Sequence, residues 1–276
     1  MKRRAALKLL GSAGALGLMS AACSSLQHNM RRGVDPIGLQ LYTIRELMGS
    51  DASRALAEVA QVGYKEVETA GTGNLNPVEF AQALKNEGLT APSAHLPINL
   101  LMEKPDELLQ LAQTIGYRYI VVPWLPTEMR TLDGYAKTID TLNSFGAKSI
   151  KEGVQVAYHN HDFEFEKIDG EIVFNRMLKE CDRELVKFEL DLFWAAHAGV
   201  NAKSYLASDP QRYPLCHVKD RTENGDMVDV GQGEIDFPDL FSAGSGLQHY
   251  FVEHDRPSNP MSSIKRSYLA VKSMQY

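Results

Sequence analysis

The feature that most restricts the fold of this chain is a recurrence. From Val34 onward, short β-rich runs alternate with helical patterns, and successive runs begin about 25 to 36 residues apart, the length of one strand–helix unit. The runs are Ile37–Tyr42, Lys65–Ala70, Thr90–Leu96, Arg118–Pro123, Val154–His161, Val186–Leu192, Pro214–Lys219 and His249–His254. Helical spacing of apolar residues marks Ser53–Val62, Pro77–Asn86, Pro105–Ile115, Asp133–Glu152, Asn201–Ala207 and Ser262–Ser273. Glycines close the first four of these, as a helix-to-strand turn requires. Eight such units in about 240 residues predict a single-domain (β/α)₈ TIM barrel over residues 34–276. An open doubly wound sheet would want a glycine-rich turn after its first strand, and Tyr42-Thr43-Ile44-Arg45 stands there instead.

The N-terminus does not share this pattern. Lys2, Arg3, Arg4 and Lys8 precede a mildly apolar stretch, Leu9 to Ala22, that ends in small residues. Residues 1–22 therefore read as an export signal, and Arg3-Arg4 followed by Leu7-Lys8 resembles the twin-arginine motif. Ser20-Ala21-Ala22-Cys23 suits either ordinary signal peptidase or lipoprotein processing with acylation of Cys23, which would anchor the domain without embedding it. Residues 23–33 read as a polar tether. The expected location is thus periplasmic, with a lipid anchor on Cys23 as an option. Removing the four cationic residues of the signal takes the formal charge from −6 to −10, which argues against a nucleic-acid partner. No apolar run reaches the roughly 18 residues needed to span a bilayer.

In a barrel of this kind the active site lies at the C-terminal strand ends. Glu68 ends the second run, His95 the third, His159 and His161 the fifth, Asp191 the sixth, His217, Lys219 and Asp220 the seventh, and Glu253 with Asp255 the eighth. Residues two apart on a strand face the same side, so His159 pairs with His161 and His217 with Lys219. Carboxylates and imidazoles converging from different strands form a divalent-metal site, and this donor mix suits a transition metal better than calcium. Asp162, Glu164 and Glu166 read as solvated loop charge. Glu234 and Asp236 lie in a glycine-bounded turn and read as structural. Cys181 and Cys216 read as buried thiols.

The segments Tyr158–Phe165 (YHNHDFEF), Glu189–Gly199 (ELDLFWAAHAG), His217–Arg221 (HVKDR), Val230–Phe237 (VGQGEIDF) and Phe251–Asp255 (FVEHD) resemble the xylose-isomerase-like TIM-barrel family, in particular its sugar phosphate isomerase/epimerase branch. The resemblance covers most of residues 36–273. It implies four ligands to a divalent ion (Mn, Co, Zn or Mg): His159, Asp191, His217 and Glu253. It also implies a carbohydrate pocket lined by Glu68, His95, Trp124, Trp194 and Asp220, with Glu253, His161 and Lys219 as catalytic groups. The shared reaction step would be loss of a proton α to the carbonyl of a keto-sugar, through a metal-stabilised enediolate, with Glu253 or His161 as base tuned toward neutral pKa. Epimerases of the family commonly carry a carboxylate at the position of His159. Imidazole there leaves Glu253 alone in that pair, which favours one-base isomerisation or elimination over symmetrical epimerisation. A lyase or dehydratase on keto-sugars or 3-keto-glycosides is the alternative, and a non-catalytic sugar-binding lipoprotein a further one.

Overall fold

A computed structural model describes residues 32–276. The export-signal segment, Cys23 and most of the tether lie outside the described residues. Arg32–Tyr276 forms one compact unit. Among the described residues, no helix is long and apolar enough to cross a membrane.

Eight parallel strands close into a barrel: β1 Gly38–Gln40, β2 Glu66–Thr69, β3 Thr90–His95, β4 Tyr119–Val122, β5 Gln155–His159, β6 Val186–Asp191, β7 Leu215–Val218 and β8 His249–Val252. Each pairs with its neighbours in chain order, and β8 closes on β1 through Gly38 opposite Phe251. Each run read from the sequence contains one strand. The strands are shorter, because the chain turns away once the barrel wall is complete. The first run stops at Gln40, whose side chain accepts the Tyr42 N–H and starts a 3₁₀ turn, Leu41–Ile44. The fifth stops at His159, so His161 sits in the following loop.

The helices Pro77–Asn86 and Pro105–Ile115 form as their spacing predicts. Gly116 ends the second in a left-handed conformation (φ 99°) that residues with a Cβ rarely adopt. Four helices were not legible: Ile98–Glu103, Val173–Glu180, Leu192–His197 and Phe237–Ala243. Asp236 caps the last of these by accepting the Asp239 N–H, and Glu234 faces Arg221, so both carry structural roles. Cys181 and Cys216 are buried free thiols.

The barrel interior is layered. Val121, Ala157, Leu215 and Phe251 make an apolar plug with no solvent exposure. Below it, Glu66 Oε2 meets His249 Nδ1 at 2.7 Å. Above it lie the buried polar side chains Glu68, Glu189, His159, Asp191 and His217. The plug depends on Gly38, since a Cβ there would strike the Phe251 ring. Gly38→Ala is expected to cost about 1–3 kcal/mol by overpacking. An unchanged urea midpoint would show that the ring has room to move.

Candidate active site

Buried groups collect at the C-terminal end of the barrel. Two-residue alternation along β6 turns Glu189 and Asp191 inward, and that along β7 and beyond does the same for His217 and Lys219. Asp191 Oδ1 accepts the Trp194 N–H at 2.9 Å and so caps the helix Leu192–His197. Its other oxygen, Oδ2, is buried and faces the Lys219 ammonium at 3.0 Å, and His217 Nδ1 is buried beside it. These two atoms are 3.7 Å apart. His159 Nε2 is 3.6 Å from the same Asp191 oxygen, and Glu253 Oε2 is 2.8 Å from the same His217 nitrogen. Asn160 ties the ends of β5 and β6 together, its Oδ1 accepting the Asp191 N–H at 3.0 Å.

Lys219 is also buried. Its Nζ lies 2.6 Å from Glu253 Oε2, 3.0 Å from Asp191 Oδ2 and 3.1 Å from Asp255 Oδ1. Beneath this level, Glu68, Glu189, His95, His159 and His217 form a second network, which meets the cavity at His95 and His159.

Charge balance decides how the groups titrate. Burial pushes the Glu253 carboxyl up, but Lys219 and His217 outweigh it and hold it well below the usual carboxylate range. Burial lowers Lys219, yet Asp191, Glu253 and Asp255 together raise it well above its ordinary value. Asp191 is raised by burial, which Lys219 only partly offsets. Burial and the Lys219 charge push His161 down to about 3, so it is a neutral imidazole. In the metal-free chain neither candidate base titrates near neutrality: burial and then Lys219 depress His161, and Lys219 with His217 depresses Glu253.

The donor set fits a divalent cation. Asp191, His217 and Glu253 each bring one donor atom to within 4.8 Å of the others, close enough to share an ion with bonds near 2.0–2.2 Å, and His159 Nε2 stands 3.6 Å from the Asp191 oxygen. Four buried carboxylates, Glu68, Glu189, Asp191 and Glu253, are balanced in the metal-free chain by Lys219 and by two imidazoles they keep protonated, His95 raised to about 9 and His217 raised well above its ordinary value; a dication could take the place of such a proton.

A cavity of about 510 Å³ opens above the set, lined by Tyr42, Ala70, His95, Pro123, Trp124, His159, His161, Lys219, Glu253, Asp255 and Arg256. Trp124 (47% exposed) and Tyr42 (43%) are the exposed aromatics on its wall. His161 stacks on Phe163, with ring centroids 5.3 Å apart, and leans on Trp194 at 5.2 Å. Its Nδ1 is buried with no partner.

Four placements differ from the sequence expectation. Asp220 does not line the cavity. Its carboxylate accepts the N–H groups of Arg221, Gly231, Gly233 and Ile235, so its charge is spent shaping the loop that follows β7. Trp194 and Glu68 are not on the cavity wall either; the indole backs His161, and Glu68 lies in the layer below. Glu164 is not solvated charge: it is fully buried, accepting Tyr158 Oη at 2.6 Å, Tyr135 Oη at 3.3 Å and the His161 N–H at 2.8 Å. Glu189 went unnamed among the site residues, although the alternation that pairs His159 with His161 also pairs it with Asp191.

The fold and the ligand-like set define a (β/α)₈ barrel with a polar C-terminal face. The chain belongs to the xylose isomerase-like TIM barrel family, whose model matches residues 56–243. Among solved structures it is similar to a sugar phosphate isomerase/epimerase from Parabacteroides distasonis (23% identity, TM-score 0.75, covering 86% of this chain and 94% of that one). It is also similar to a probable 3-DHS dehydratase from Bacillus anthracis (12%, 0.68, 85% and 98%) and to the IOLI protein solved with a zinc atom (17%, 0.67, 86% and 98%). At these identities the likeness is one of fold. No curated protein sequence matches the chain.

Proposed function

We propose that this protein is a metal-dependent enzyme of the sugar isomerase/epimerase type, removing a proton α to the carbonyl of a keto-sugar. The observation that carries the reading is the Lys219–Glu253 contact of 2.6 Å on the wall of a cavity that reaches His159 and Glu253, with Asp191 and His217 buried just behind them. A divalent cation held by those four residues would act as a Lewis acid on a carbonyl–hydroxyl pair and make the α-hydrogen more acidic.

The chain's own groups supply the rest. Glu253 is ionised and His161 neutral at any working pH, so each has a lone pair for the proton, and each is a weak base that needs an acidified substrate. Lys219 Nζ stands by the same carboxylate and stabilises negative charge that builds on a substrate oxygen. Trp124 offers a flat apolar face to a sugar ring. Return of the proton gives an isomer or epimer.

A second reading, elimination of a β-substituent with Lys219 protonating the leaving oxygen, is favoured by one observation. His159 is committed on both sides, Nδ1 to Glu189 and Nε2 toward Asp191, so it offers no second base. The Arg3-Arg4 segment supports an exported enzyme that meets free sugars, glycosides or keto-glycosides.

The test is proton NMR of the purified protein with a panel of keto-sugars in D₂O. Deuterium is expected at the α-carbon, falling at least ~100-fold on chelation and returning with Mn²⁺, Co²⁺ or Zn²⁺. Full exchange by metal-stripped protein, or none with any keto-sugar, would sink the proposal. An enone product would select the elimination branch.

A further inference from the structure

Each imidazole of the proposed ligand set has a second nitrogen, and both second nitrogens are pinned from below. His159 Nδ1 lies 3.1 Å from Glu189 Oε2. His217 Nε2 lies 2.6 Å from Glu68 Oε2 and 3.2 Å from Glu189 Oε2. An ionised carboxylate only accepts, so the nitrogen facing Glu189 or Glu68 carries an N–H, and the opposite nitrogen is the one left to ligate once a cation replaces any proton there. His159 is thereby left with Nε2 and His217 with Nδ1. Those are the two atoms that turn toward Asp191 and Glu253.

The two carboxylates are held in turn. Gln40 Nε2 donates to Glu68 Oε2 at 2.7 Å, and Ser93 Oγ donates to Glu68 Oε1 at 2.5 Å. His95 Nε2 bridges the pair, 2.7 Å from Glu189 and 3.0 Å from Glu68. Both are fully buried and neither lines the cavity, so neither can meet substrate. Their placement has no packing logic of its own: Glu189 Oε1 has no hydrogen-bond partner, and an apolar residue would cost less there.

We propose that Glu189 and Glu68 are positioning residues that fix the tautomer and ring orientation of His159 and His217 and so create a site for one divalent ion. This rests on the reading of the upper set as the cation site. The same atoms admit a rival arrangement, because His95, His159, Glu189 and His217 are themselves close enough to hold an ion. The two uses exclude each other, since a nitrogen that donates to Glu189 cannot also ligate beside it.

The experiment is calorimetric titration of the metal-stripped full chain with Zn²⁺, with Co²⁺ absorption as a second readout. The wild type is expected to bind one ion per chain. Glu189→Gln keeps the size and removes the charge, and should raise the Zn²⁺ Kd about 10–100-fold without lowering the melting temperature of the metal-free chain. Glu68→Gln should act in the same direction and serves if the first variant fails to fold. The Co²⁺ spectrum should change in both, because ring orientation changes. An unchanged Kd in both variants overturns the proposal, since a residue with a packing role alone would move only the melting temperature. Two ions per wild-type chain, one of them lost in Glu189→Gln, overturns it in favour of the deeper site. No Zn²⁺ bound by the wild type removes the cation reading and the positioning role together.

Discussion

Lys219→Met will destabilise the metal-free protein by about 3–5 kcal/mol, the range for stripping one partner from a buried ionic cluster. The ammonium lies within 3.1 Å of Asp191, Glu253 and Asp255, and methionine fills its volume without its charge. Asp191 and Glu253 would then be buried with only the His217 imidazole to offset them. The same substitution should make the variant more responsive to metal than the wild type. A dication would supply the missing positive charge, so saturating Zn²⁺ should raise the variant's melting temperature further than the parent's. α-Deuterium exchange should remain depressed by about 10²–10³-fold with metal present, because charge on the substrate oxygen loses its nearest protein donor. Urea unfolding with and without metal checks the stability claim. A metal-free variant as stable as the wild type would show that the lysine does not balance the cluster.

The second large effect is a pH dependence that belongs to Glu164. Burial pushes its carboxyl up to about 7, only partly opposed by the Tyr158, His161 and Tyr135 hydrogen bonds. The folded chain therefore holds this proton more tightly than the unfolded chain does. Stability from this residue is fully present below the ordinary carboxylate pKa, declines as pH rises toward 7, and stays low above it. The span is about 3 kcal/mol. Glu164→Gln has no proton to lose. Relative to the wild type it should gain about that amount of stability between pH 4 and pH 8, whatever it loses at low pH from an altered bond to the His161 N–H. Parallel stability curves for the two proteins over that range would refute the assignment.

Much of the architecture was legible because barrels write a simple code. Runs of Val, Ile and Tyr followed by amphipathic stretches and a glycine can bury their apolar faces in few ways, and the strand-end histidines and carboxylates marked the functional face. What stayed illegible depends on contacts between distant residues. Leu192–His197 is too short to show helical spacing, and its start is marked by the Asp191 side chain, which caps it by accepting the Trp194 N–H. Asp220 looks like another strand-end acid, yet its fate is set by backbone N–H groups 11 to 15 residues away. Glu164 looks like loop charge because nothing local announces that Tyr135 will reach it from another helix. The alternation rule placed His161 on the same side as His159 by treating it as strand. The loop delivers it to the same cavity by a different route.

The apolar plug under the site has a consequence for isotope traffic. With Val121, Ala157, Leu215 and Phe251 closing the floor, the barrel is a cup and not a pipe, and a proton taken from substrate leaves through the mouth, whose wall carries the exposed Tyr42 and Trp124. A ligand seated there would act as a stopper. Return of the same proton to the sugar would then compete with exchange into bulk water, and deuterium uptake per turnover would measure how tightly the mouth is closed.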